Sequence, residues 1–186
     1  MASAITHFVV GAGLALACTE IPALRRVLPR WAIPVTAGLF AVAPDLDTWV
    51  MMALGIPRDS LFSHRGVFHS PFFLSLLALG IAALVARGRG VLAVAALWAG
   101  AATTHPLLDM LTDGGSGVML LFPFSTHRYF FPWRPIRVSP LSIARFFDRA
   151  DEILRSELPF CAAAVLLGRL VRTAMHLAGV ARPTRP

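Results

Sequence analysis

His105 and Asp109 stand four residues apart in an apolar run, offering an imidazole and a carboxylate side by side. At helical pitch that spacing puts both side chains on one face, one turn apart. Such a pair suits a divalent metal. The same chemistry recurs at His7, at Asp45 and Asp47 in PDLD, and at His64 and His69 in HRGVFHS. Two acids separated by one residue, at the end of an apolar run, repel each other unless a cation joins them. Asp45 and Asp47 therefore read as metal ligands, with helix capping after Pro44 as the plainer account. Arg65 lies between the two histidines, and its planar fork suits a phosphate; a lipid headgroup contact is its alternative.

Other polar residues carry weaker signals. Asp113 precedes Gly114-Gly115 and reads either as a site member or as a helix end. His127 and His176 read as structural or interfacial, and Asp148, Asp151 and Glu152 as a solvated helix face. Cys18 and Cys161 lie in apolar runs and read as buried small residues rather than a disulfide or metal pair. The chain has no glycine-rich phosphate loop, no G-x-S-x-G turn and no Cys-x-x-Cys. Ser63 and Ser70 sit beside histidines but without a recognisable nucleophile turn.

The elements that must position these residues are apolar. Of 186 residues, 56% are hydrophobic and 15% charged, and mean hydropathy is +0.69. Soluble domains run at roughly 45–50% apolar, so the composition points to a membrane protein. All 17 basic residues are Arg, and the net charge is +7. Their scatter among short loops suits membrane orientation and anionic headgroups and does not support nucleic-acid binding.

The pattern predicts an all-α integral membrane bundle of four or five spans over residues 1–180. The spans fall at about 4–20, 31–50, 71–87, 91–111 and 159–179. Residues 31–56 read as one interrupted span or as a span followed by an interfacial turn. Ser70-Pro71 reads as an N-cap with Pro at the first helical position, and Pro106 as a kink beside His105. Residues 113–157 read as an interfacial loop rich in Pro, Arg and aromatics, followed by an amphipathic helix over 141–158. Residues 181–186 read as a disordered tail. With these spans, the Arg-bearing turns at 25–30 and 87–89 and the tail fall on one side, which the positive-inside rule makes cytoplasmic. His7, Asp45, Asp47, His64, His69, His105, Asp109 and Asp113 all fall at span ends on the other. The 113–157 segment, with six Arg, also lies outside and weighs against that orientation.

An early His in an N-terminal helix, then PDLD, then HRG-x-x-HS, then H-x-x-x-D-x-x-x-D-G resembles the YdjM-like family of bacterial inner-membrane proteins, described as membrane-bound metal-dependent hydrolases. The likeness runs from His7 to about Ser125, including PFS at 123–125. The ligand order is also similar to the zinc-dependent phospholipase C and P1 nuclease group, although no second His-x-x-x-Glu pair follows here. The resemblance implies hydrolase activity.

The resulting expectation is a membrane-bound hydrolase holding one or two divalent ions, Zn or Mn, on His7, Asp45, Asp47, His64, His69, His105 and Asp109. Asp47, Arg65 and His69 are the candidate catalytic residues, and a phosphoester or lipid-linked molecule at the outer membrane surface is the candidate substrate. A second reading is a bundle that binds or moves a metal ion or proton through the same cluster. A third is a scaffold whose His–Asp pairs only fix helix packing.

Overall fold

The computed structural model describes residues 1–58, 60–140 and 142–179. The helices are α1 (Ala4–Ala15), α2 (Pro22–Arg25), α3 (Ala32–Val42), α4 (Asp47–Leu54), α5 (Pro71–Val85), α6 (Val91–Met110), α7 (Ile143–Phe147) and α8 (Ala150–Leu177). Among the described residues no strand forms; there are two isolated bridges, Thr112 with Ile136 and Val118 with Tyr129. Three helical stretches are long and apolar enough to cross a membrane: Ala32–Leu54, Val91–Met110 and Ala150–Leu177. Ala4–Cys18 and Pro71–Val85 are apolar but shorter.

Caps and prolines set the boundaries. Ser70 Oγ accepts from the Phe73 N–H at 3.2 Å and Pro71 opens α5, as the sequence predicts. Residues 32–54 form a helical run broken only by a 3-10 turn at Ala43–Leu46. That turn places Asp45 and Asp47 at its end and at the start of α4. Two expectations need correcting. The amphipathic helix over 141–158 and the separate last span after it are one continuous α8, preceded by the short α7. Pro159 removes one helical amide, and the helix nevertheless runs through it with the proline on its exposed side. Leu141 and the tail 181–186 lie outside the described residues.

Small residues let the helices approach closely. A Cβ on Gly168 would run into the Gly13 carbonyl, and one on Gly11 would meet Ala41. Between apolar helices in lipid, such backbone-close contacts replace the hydrophobic driving force. One core joins Ile33, Ala78, Ala82, Val94 and Trp98 of α3, α5 and α6. A second joins Val10, Leu108, Ile136 and Ala164, where α1, α6 and α8 meet the returning loop. Cys18 and Cys161 are free and half-buried. The start of α1, the end of α3, the start of α5 and the end of α6 converge at one end of this bundle, and the polar residues gather there.

Candidate metal centre

Three of the cluster's four imidazoles face an acceptor from behind. His105 Nδ1 lies 2.8 Å from the Ala41 carbonyl, where it donates its proton and leaves Nε2 as a lone pair. His64 Nδ1 donates to Asp47 Oδ1 at 2.9 Å, and His69 Nδ1 faces Asp47 Oδ2 at 3.1 Å. Anchored this way, the Nε2 atoms of His69 and His105 meet at 3.1 Å. Neighbouring nitrogens on one metal at about 2.0–2.1 Å lie roughly 3 Å apart, so the two rings already have the spread of adjacent ligands.

Carboxylates complete the arrangement. Asp45 Oδ1 lies 3.3 Å from His105 Nε2 and 3.9 Å from His69 Nε2. Asp109 Oδ2 lies 3.9 Å and 4.0 Å from the same two atoms. The His7 ring stacks on His105 with centroids 3.6 Å apart, and its Nε2 is 3.4 Å from Asp109 Oδ1. His7, Asp45 and His105 form one group able to hold a metal; His69, His105 and Asp109 form another, and Asp45, His64 and His69 a third.

The fit to a cation rests on what these atoms lack. Both His7 nitrogens, both Asp45 oxygens and His64 Nε2 are buried without a hydrogen-bond partner in the protein. Buried polar groups are ordinarily paired. Three buried carboxylates, Asp45, Asp47 and Asp109, face the buried Arg65 guanidinium and the amino terminus, so acid outnumbers these two fixed cations and a proton or a metal ion at the histidines makes up the difference. Burial disfavours the charged form of His69, yet the Asp45 and Asp47 carboxylates outweigh it and raise the pKa to about 9. Burial, only partly offset by Asp47, holds His64 below the ordinary histidine value, so its Nε2 is free of a proton at neutral pH.

The structure divides the expected roles. Asp45 and Asp47 do not share one position. Asp45 presents its oxygens to the converging Nε2 atoms, whereas Asp47 stands behind His64 and His69 and orients them, in place of the direct ligand read from the sequence. Arg65 is not an open phosphate clamp. It is fully buried, and its Nε donates to Asp109 Oδ2 at 2.8 Å, Nη2 to Thr112 Oγ1 at 3.0 Å and Nη1 to the Gly114 carbonyl at 2.9 Å. Arg65 also has a left-handed backbone, φ 64°. Asp113 lies outside the cluster: it accepts from Arg137 Nη1 at 2.9 Å and the Val138 N–H at 2.8 Å. Burial pushes its carboxyl up, but those two donors together hold it below the ordinary range. His127 is exposed against Tyr129. His176 lies with Arg30 and Arg172 around Glu20, toward the far ends of α1 and α8.

Several contributors carry no sequence pattern of their own. Thr48 Oγ1 lies 3.2 Å from His64 Nδ1. Arg128 donates to Ser63 Oγ at 2.7 Å and to the His64 carbonyl at 3.2 Å, tying the HRG loop to the 117–129 segment. Glu157, on α8, is fully buried and accepts from the Ser3 N–H, Ser3 Oγ and Thr6 Oγ1 at 2.5–2.7 Å. It fixes the first turn of α1 and with it His7. An acid two residues before the apolar run that starts at Pro159 was the only signal. Glu157→Ala leaves three buried donors without an acceptor and is expected to cost at least about 2 kcal/mol. Glu157→Gln, which keeps an acceptor, is expected to cost less. Thermal unfolding in detergent measures both.

The family model described as YdjM inner membrane protein matches residues 1–176. The inner membrane protein YbcI of Escherichia coli strain K12 is 34% identical over 165 residues, covering 85% of this chain and 89% of the relative. No solved structure matches. The motifs that the family likeness rests on, from His7 through Asp109, are the residues whose side chains meet at one end of the bundle, and the chain belongs to the YdjM family of inner membrane proteins.

Proposed function

We propose that the chain is a membrane-bound metal-dependent hydrolase of phosphoesters. The observation that carries the reading is the approach of Asp45 Oδ1 and Asp109 Oδ2 to within 4.0 Å of both His69 Nε2 and His105 Nε2, which are themselves 3.1 Å apart, in a buried cluster rich in acid. A divalent ion bound by these residues, with His7 beside them, supplies Lewis-acid chemistry and lowers the pKa of water. Zn and Mn both suit this donor set. Asp47 accepts from His64 Nδ1 and so turns His64 Nε2 forward, its Oδ2 faces His69 Nδ1 at 3.1 Å, and Arg65 fixes the Asp109 carboxylate.

His64 is the proton-handling residue in this reading. Asp47 takes its Nδ1 proton, burial keeps the ring neutral, and Nε2 has no partner in the protein. A neutral, oriented imidazole is a general base. His64→Gln is expected to keep the ion held by Asp45, His69, His105 and Asp109 while lowering kcat by about 10²–10⁴ on a phosphodiester or phosphomonoester. The test is metal analysis beside turnover on a panel of both ester types, wild type against this variant. Metal without turnover on any ester removes the hydrolase and leaves a metal-binding bundle.

A conduit for ions or protons is less well supported. Thr36 Oγ1 donates to the Ala32 carbonyl at 2.7 Å and Ser75 Oγ to that of Pro71 at 2.7 Å, so the mid-helix hydroxyls are spent on their own helices.

The site faces outward in this proposal. Arg25, Arg26, Arg30 and Arg87 lie in the turns at the opposite end of the bundle, which the positive-inside rule makes cytoplasmic. Ser63 is 2% exposed and unsuited to labelling, whereas His127 on the site side is exposed. In a background with Cys18 and Cys161 replaced, His127→Cys is expected to react with a membrane-impermeant maleimide in intact spheroplasts. Reaction only in inverted vesicles places the site inward.

A further inference from the structure

A second feature adjoins the centre. α3 packs on α1 and α6, and α5 packs on α6, which leaves the seam between α3–α4 and α5 open. The seam is a groove of about 420 Å³ whose walls include Leu39, Phe40, Phe73, Leu77 and Ile81. Among the described residues, Asp47 is the one polar residue lining it. At that end the groove and the centre share backbone: Pro44 and Phe68 line the groove, and their neighbours Asp45 and His69 belong to the cluster.

We propose that this groove receives one acyl chain of a phospholipid and delivers its head to the His69/His105 centre. The occupant follows from the surroundings. Leu39, Leu46 and Val50, on one of the stretches long enough to cross the membrane, are 58%, 60% and 46% exposed. In an inner membrane these side chains face hydrocarbon, so the groove is continuous with the lipid phase. Its length also fits: Phe73 to Ile81 is eight residues of α5, about 12 Å of rise, close to the roughly 15 Å hydrocarbon depth of one leaflet. An apolar channel closed by a single carboxylate matches a molecule with a long apolar body and one polar end. The chain-binding step stands on the groove alone; what happens to the head rests on the hydrolase reading.

The experiment uses the full chain in vesicles of phosphatidylethanolamine and phosphatidylglycerol containing a small fraction of phosphatidylglycerol with a diazirine on one acyl chain. After illumination, peptides are mapped by mass spectrometry. Label is expected to concentrate severalfold on residues 39–50 and 73–81 over the exposed Leu166 and Leu170 face of α8. Leu77→Trp and Ile81→Trp, which fill the groove, are expected to remove that excess while keeping wild-type metal content, which reports an intact fold. Label spread evenly over α8 and the groove and unchanged by both substitutions overturns the proposal. Groove labelling without ester turnover leaves the proposal standing and removes the hydrolase. Turnover of soluble esters with even labelling does the reverse.

Discussion

Purified His105→Ala with Asp109→Ala is expected to carry no stoichiometric divalent metal, against one or two ions per wild-type chain by elemental mass spectrometry. Two of the four ligands around the converging Nε2 atoms are lost. A four-ligand structural site gives about 10–16 kcal/mol of apparent binding energy. Losing half of it is roughly 5–8 kcal/mol, more than three decades in affinity. The double variant also strips Arg65 of its carboxylate, so His105→Ala alone is the companion: it keeps the 2.8 Å Arg65–Asp109 pair and loses one nitrogen. An intermediate affinity in that variant ties the loss to ligand count. A wild-type protein that holds no metal after mild purification, and takes none on reloading, ends the metal reading in every form.

The second large effect is expected at Arg65. Arg65→Met leaves Asp109 buried beside Asp45 without the guanidinium on its Oδ2, only the Ala2 N–H and the amino terminus remaining near Oδ1, and breaking such a pair costs about 3–5 kcal/mol. Lysine is a poor substitute, because one ammonium cannot reach Asp109, Thr112 and the Gly114 carbonyl with the geometry of a guanidinium. Denaturant unfolding in the presence of a chelator separates this from metal binding. Combining Arg65→Met with Asp109→Asn is expected to cost less than the two single changes added together, since the unpaired charge disappears. A loss under about 1 kcal/mol for Arg65→Met contradicts a pairing role.

The sequence allowed the gathering of polar residues to be anticipated because it depends only on where apolar runs stop. His7, Asp45, His69, His105 and Asp109 each sit within a few residues of a helix end, and alternating helix directions bring those ends together. The Ser70-Pro71 start of α5 was equally readable, since a cap is local chemistry. The partner of Arg65 was not, because Asp109 lies 44 positions away and Arg65 turns toward it through a left-handed backbone that leaves no pattern in the sequence. The division between Asp45 and Asp47 depends on a 3-10 turn that rotates one carboxylate to the front of the rings and the other behind. Glu157 was hidden for a similar reason: its partners Ser3 and Thr6 are at the opposite end of the chain, and its neighbours look like a solvated face. The end of the supposed interfacial helix was misplaced because an exposed proline looks the same in sequence whether or not the helix continues.

The close seat of Gly168 on Gly13 has a consequence for biosynthesis. The two glycines are 155 residues apart, 168 minus 13. At a translation rate of about 5–20 residues per second, α1 waits roughly 8–30 s for its neighbour. During that interval α1 presents a bare glycine seam, and the donors of Ser3 and Thr6 lack the Glu157 carboxylate. The nascent chain therefore completes the polar end of its bundle only as the final helix enters the membrane. Until then it is an open substrate for membrane chaperones and quality-control proteases, and a chain that stops short of α8 is expected to be cleared rather than to accumulate.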